Sequence, residues 1–118
     1  MDGNVSTKLR IFLLVLGCLL TFTTLGHAAE DARLYAKAVK AAKTGHTDFA
    51  FMHYNALLRD YPHSTFREQA LFAIGEYYFR MPYYSKAAVA FNDLVKDYPD
   101  SPGKLFALAY LYKIAQEE

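Results

Sequence analysis

Apolar positions recur along the chain at the spacing of a helix face. In residues 67–79 the apolar set is Ala70, Leu71, Ile74, Tyr77 and Tyr78, and in residues 86–95 it is Ala87, Ala88, Phe91, Leu94 and Val95. Steps of one, three and four bring such residues onto one stripe of an amphipathic helix. No segment alternates as a strand bounded by hairpin turns would. The pattern predicts helices over 31–43, 47–60, 66–80, 84–97 and 103–116, with Gly45 breaking the first pair and Pro82 the second.

The breaks between pairs are written twice. RDYPHS at 59–64 and KDYPDS at 96–101 lie 37 positions apart. Shifting the chain by the same 37 sets Ala50 on Ala87, Tyr54 on Phe91, Asn55 on Asn92, Leu57 on Leu94, Ala70 on Ala107, Leu71 on Leu108 and Ile74 on Leu111. Matches over a helix, a turn and a second helix mark an internal repeat. Pro62 and Pro99 each lack an N–H and clash with the preceding turn, and the residue before each is pushed out of helical geometry. The helices therefore stop near Tyr61 and Tyr98. New ones begin at once. Thr65 and Glu68 have capping-box spacing, and Ser101 offers a capping hydroxyl before Pro102 in a first turn. The hexapeptide thus joins one helical hairpin to the next.

The N-terminal stretch is built differently. Lys8 and Arg10 precede an uncharged run over 11–25, and LGHAAED follows. A basic start, an apolar core and a small-residue exit are the parts of a secretory signal. Gly26 and Ala28 suit the two shallow peptidase pockets, which predicts a cut after Ala28. Residues 1–28 then form a signal peptide and 29–118 the repeat domain: repeat one 31–64, repeat two 66–101 and a half repeat 103–116. Two other fates compete. The run of 15 to 19 residues is marginal against the roughly 20 of a spanning helix, and Cys18 after Val-Leu-Gly loosely resembles a lipidation site.

Composition narrows the function. Cys18 is the sole cysteine, so residues 29–118 hold neither a disulfide framework nor cysteine chemistry. This part has 11 Lys plus Arg and 11 Asp plus Glu, interspersed, which leaves no electrostatic footprint for nucleic acid or anionic lipid. Ten Tyr and seven Phe dominate it. His46, His53 and His63 lack a second ligand at metal-binding spacing, the glycines form no phosphate loop, and Ser64, Ser85 and Ser101 sit at turns. Neither catalysis nor a cofactor is expected.

Leu71, Ile74, Gly75, Tyr78, Ala87, Phe91, Leu94 and Pro99 stand at the spacing of the tetratricopeptide repeat (TPR), which the chain resembles over about 31–116. The first unit matches through Leu34, Ala38, Ala50, Tyr54, Leu57 and Pro62, but Lys37 and Ala41 stand where large apolar residues are usual. The 37-residue period closed by Tyr-Pro-x-Ser resembles the bacterial envelope group, which includes outer-membrane-assembly lipoproteins of the BamD type and Tol-associated division coordinators. The resemblance implies an all-α, right-handed α-solenoid of about two and a half repeats. It also implies a concave groove lined by Tyr35 and Val39, by Phe72, Glu76 and Phe79, and by Ala109 and Lys113. Phe72 and Phe79 are expected as open rings in an apolar trough, with Glu76 and Lys113 orienting a bound peptide, against the plainer alternative that they pack on the neighbouring hairpin. The tyrosine pairs 77–78 and 83–84 are expected as core and junction filler. The function implied is a periplasmic scaffold that binds a protein or peptide of the cell envelope, with the membrane reached only through a retained or lipidated N-terminal segment. The alternatives are an outer-membrane lipoprotein subunit tethered through Cys18 and an enzyme fragment. The last helix carries Leu105, Leu108, Leu111 and Ile114, which is apolar for the end of a solenoid.

Overall fold

The computed structural model describes residues 2–117, with side chains at all of these except 2–3, 19–25 and 27–28. Apart from the turns between helices, the described residues are helical and contain no strand. Five helices follow in order: α1 (Asp2–Lys43), α2 (Thr47–Asp60), α3 (Arg67–Arg80), α4 (Tyr84–Asp97) and α5 (Gly103–Glu117). Four of the expected helices match to within a residue at each end. Where a helix was expected from residue 31, α1 begins instead at Asp2.

The chain divides into two compact units, Met1–Glu30 and Asp31–Glu118. In the first, Val5, Leu9 and the six residues from 11 to 16 are between 45% and 70% exposed. Among the described residues no helix is long and apolar enough to cross a membrane. The side chain of Ala28, at the expected cut, lies outside the described residues.

In the second unit the two Tyr-Pro joints have the same geometry. Tyr61 ends α2 at φ −132°, ψ 64°, and Tyr98 ends α4 at φ −129°, ψ 61°. Both depart from helical ψ, as a residue ahead of proline does. Each then folds the same turn: Ser64 N–H donates to Tyr61 O at 3.0 Å, and Ser101 N–H to Tyr98 O at 3.2 Å. Turns within the hairpins also correspond. His46 N–H reaches Ala41 O, and Tyr83 N–H reaches Tyr78 O, each at 2.9 Å. Gly45 makes the first turn with φ 79°, a region where any Cβ is strained.

The core has two parts. Ala38, Ala50, Tyr54, Leu57, Ala70, Ile74 and Ala90 form one cluster. Leu71, Ala87, Phe91, Leu94, Ala107 and Ile114 form the other. Helix α3 supplies both, since adjacent Ala70 and Leu71 lie on either side of its buried stripe. Phe91, Leu57 and Leu94 are the largest fully buried side chains, each contributing about 1.5–3 kcal/mol through burial. Gly75 permits the tightest approach. A Cβ there would lie 2.6 Å from Cε1 of Phe91, so α4 lays its ring directly on the α3 backbone.

One expected contact is corrected. Thr65 and Glu68 do not form a capping box. Helix α3 starts at Arg67 without a side-chain bond from the residue before it. The Ser64 hydroxyl accepts the Phe66 N–H at 3.1 Å, and the Glu68 carboxylate accepts the hydroxyl of Ser101. Ser64 instead caps the turn that leads into α3, because the Tyr-Pro joint aims its hydroxyl at the Phe66 amide. At the second joint the expected cap stands: Ser101 Oγ accepts the Gly103 N–H at 2.9 Å.

Candidate functional site: a trough along helix α3

Two adjoining clefts run beside α3, and Tyr54 and Ala73 line both. One, of ≈ 180 Å³, is walled by α1, α2 and α3, with Phe51, Glu76, Tyr77 and Arg80 among its residues. The other, of ≈ 370 Å³, takes Glu68, Gln69 and Phe72 from α3 and Gly103 and Phe106 from α5. Between Glu68 and Arg80 the helix rises about 18 Å. That matches about five residues of extended chain.

The lining follows from helix periodicity. Gln69, Phe72, Ala73, Glu76 and Arg80 follow at steps of three, one, three and four, so one face of α3 forms the floor. Phe72 and Phe79 are half-buried, where open rings were expected. Phe72 meets Phe91, Phe106 and Tyr110 edge-on at centroid distances of 5.8, 6.5 and 6.0 Å. Phe79 meets Tyr110 at 5.1 Å and Tyr84 at 5.5 Å. The reason is α5, whose Tyr110 stacks on Phe91 at 4.8 Å and fills the space beside both rings. Phe106 remains 65% exposed and is the open aromatic of this wall.

Both carboxylates of the trough are held in place. Glu76 Oε1 accepts the Tyr110 hydroxyl at 2.8 Å. The Tyr110 phenol is raised above its ordinary value, first by burial and then by this bond to an anion. Lys113 is exposed, with Nζ 5.7 Å from the Tyr110 ring centre. Glu76 and Lys113 thus converge on one tyrosine. At the other end Glu68 is fixed by Ser101. The resulting surface has an apolar floor, two oriented anions and a cation, Arg80, at its far end.

The remaining expected groove residues lie elsewhere. Tyr35 stacks on Phe66 at 4.3 Å and, with Val39, packs against the first core cluster. Neither cleft includes Tyr35, Val39, Phe79 or Lys113. Tyr77 and Tyr78 both meet Phe51, at 4.2 and 5.2 Å, which fits a filling role. Tyr77 also donates to Asp48 at 2.8 Å, and that bond, ahead of burial, raises its phenol. Tyr83 is 56% exposed, with Lys86 Nζ 5.4 Å from its ring centre. Among the described residues no three His, Cys, Asp or Glu side chains gather to hold a metal ion.

Tyr54, Gln69, Ala73, Arg80 and Phe106 line the trough but were not assigned to a groove from sequence. Their signal was available in part: Gln69, Ala73 and Arg80 continue the stripe of Phe72 and Glu76, and Phe106 lies one repeat after Gln69. A scan against protein families and a search of curated proteins give no match to the chain.

Proposed function

We propose that this protein is a non-catalytic scaffold of the bacterial periplasm that holds a short extended segment of an envelope protein along α3. The observation carrying this reading is the trough itself: a floor of Phe72, Ala73 and Tyr54, an open Phe106, and two carboxylates fixed by hydroxyl donors. Pre-fixed anions lose little side-chain freedom on binding, so their affinity is not consumed by ordering. An occupant with apolar residues and one or two cations suits this surface, with a carboxylate toward Arg80. The hairpins stack as a right-handed TPR-like solenoid, and the trough is its concave side. The exposed apolar residues at 11–16, together with the basic residues before them, support export by a signal sequence.

A photoreactive residue placed at Gln69 or at Phe106 tests the reading in cells. Both positions are exposed trough residues. Crosslinks to one envelope segment from both, and none from Asn55, which is exposed and outside the clefts, are the expected result. Equal capture from Asn55, or none from either trough position, contradicts it.

Tethering through Cys18 is the second reading, favoured by the exposure of this sole cysteine. The mass of protein recovered from membranes separates the two. A diacylglyceryl group on Cys18 establishes the tether, and an N-terminus at Ala29 establishes cleavage.

A further inference from the structure

Four trough residues on α3 recur at every fourth position: Glu68, Phe72, Glu76 and Arg80. Every fourth residue of a helix lies on one ridge, inclined about 26° to the axis. Neighbours on that ridge rise about 6.0 Å, so their side chains are spaced about 6.7 Å along it. Two residues of an extended strand advance about 6.4–6.8 Å, and alternate side chains point to the same side. The ridge and one side of a strand therefore share a repeat. An extended segment laid along the ridge presents every second residue to an acid, a ring, an acid and a base in turn.

The two acids are each open on one oxygen. Glu68 Oε1 accepts the Ser101 hydroxyl and Glu76 Oε1 the Tyr110 hydroxyl, and neither Oε2 has a hydrogen-bond partner in the protein. Among the described residues no unpartnered side-chain oxygen is buried. Both second oxygens therefore reach solvent in the clefts that these residues line. A carboxylate with one oxygen fixed and one open attracts a single cation. Lysine brings one point charge to it. The arginine fork gains its strength by engaging both oxygens, and here one is already taken. Arg80 is exposed, and its own fork suits a carboxylate.

Resting on the scaffold reading above, we propose that the trough selects an extended segment ordered lysine, any, apolar, any, lysine, any, acid. The two lysines meet Glu68 and Glu76, and the acid meets Arg80. The apolar residue lies on Phe72, with the exposed ring of Phe106 beside it. The first and seventh residues of such a segment lie about 20 Å apart, as do Glu68 and Arg80 along the ridge. The intervening residues point away from α3 and are unrestricted. A slip of one residue turns every recognised side chain away from the ridge, so spacing is what the trough reads.

Synthetic peptides and full-length protein in mild detergent test this by fluorescence polarisation at low salt. The probe is Lys-Thr-Leu-Thr-Lys-Thr-Glu, compared with Lys-Thr-Leu-Thr-Thr-Lys-Glu, which has the same composition. Moving the second lysine should weaken binding about threefold or more, and Glu76→Gln should abolish the difference. Moving the first lysine, in Thr-Lys-Leu-Thr-Lys-Thr-Glu, repeats the test with Glu68→Gln, so the proposal does not depend on one variant folding. Arginine in place of both lysines should bring no gain with the natural protein. It should bring a gain of about twofold or more with Tyr110→Phe, which frees Oε1 of Glu76. No binding of the alternating probe, equal binding of the rearranged peptides, or a spacing preference that survives both glutamine variants overturns the proposal. Crosslinking from Gln69 and Phe106 separates the two readings. Capture of an envelope segment without any preference for spacing ends this register alone, whereas absence of capture ends the scaffold reading as well.

Discussion

Gly75 and the serine joints show how single residues set the spacing of the hairpins. Replacing Gly75 by Ala gains up to about 1 kcal/mol in helix propensity. The added methyl, however, meets the fully buried Phe91 ring, which Tyr110 holds from its own side. Overpacking of this kind costs about 1–3 kcal/mol, so Gly75→Ala should lower the urea midpoint. The serines act through what they hold. Ser64 Oγ donates to Asp31 Oδ2 at 2.5 Å and accepts the Phe66 N–H, and Ser64 and Asp31 are only 9% and 7% exposed. Ser64→Ala removes a cap and leaves a buried carboxylate oxygen without that donor, a loss of about 1–3 kcal/mol. Ser101→Ala removes the equivalent pair from a less buried joint and should cost less, about 1 kcal/mol. Chemical denaturation of the two variants side by side checks the order.

Element boundaries were legible because the local code is strong. Proline cannot extend a helix, so α2 and α4 end at Asp60 and Asp97 where Pro62 and Pro99 require it. The partner of Glu68 was not read correctly, because a capping box is a local pattern and the true bond spans 33 residues. Yet the repeat contains it. Shifting by 37 sets Asp31 on Glu68 and Ser64 on Ser101, an acid 33 residues before a serine in both units. The burial of Phe72 and Phe79 was not legible, since a helix-face pattern does not say how far a neighbouring helix reaches. Tyr110 decides it. Tyr110→Phe keeps the ring packing and removes the bond to Glu76. It should lower stability by about 1 kcal/mol and release the Glu76 carboxylate into the trough. Denaturation, together with binding of a captured segment, measures both effects.

Across the molecule, four tyrosines make the fold sensitive to alkali. Tyr54 and Tyr98 are raised above the ordinary phenol value of 10.0 chiefly by burial, Tyr110 by burial and its bond to Glu76, and Tyr77 first by its bond to Asp48. A phenol raised in the folded state keeps its proton there while the unfolded chain loses it. Its contribution is therefore complete below pH 10.0 and declines as pH rises from there through the folded value. The melting temperature should stay level to about pH 10 and then fall, with phenolate absorbance in the folded protein lagging behind that in denaturant. The central claim is that the α3–α4 hairpin closes ring-on-backbone and that α5 then stacks on it ring-on-ring. A two-dimensional nuclear Overhauser spectrum tests it most directly. We expect cross-peaks from the Phe91 ring to the Gly75 α-protons, marking closure of the hairpin, and from the Tyr110 ring to Phe72 and Phe91, marking α5 stacked on it. A folded, helical protein lacking both sets would contradict the account.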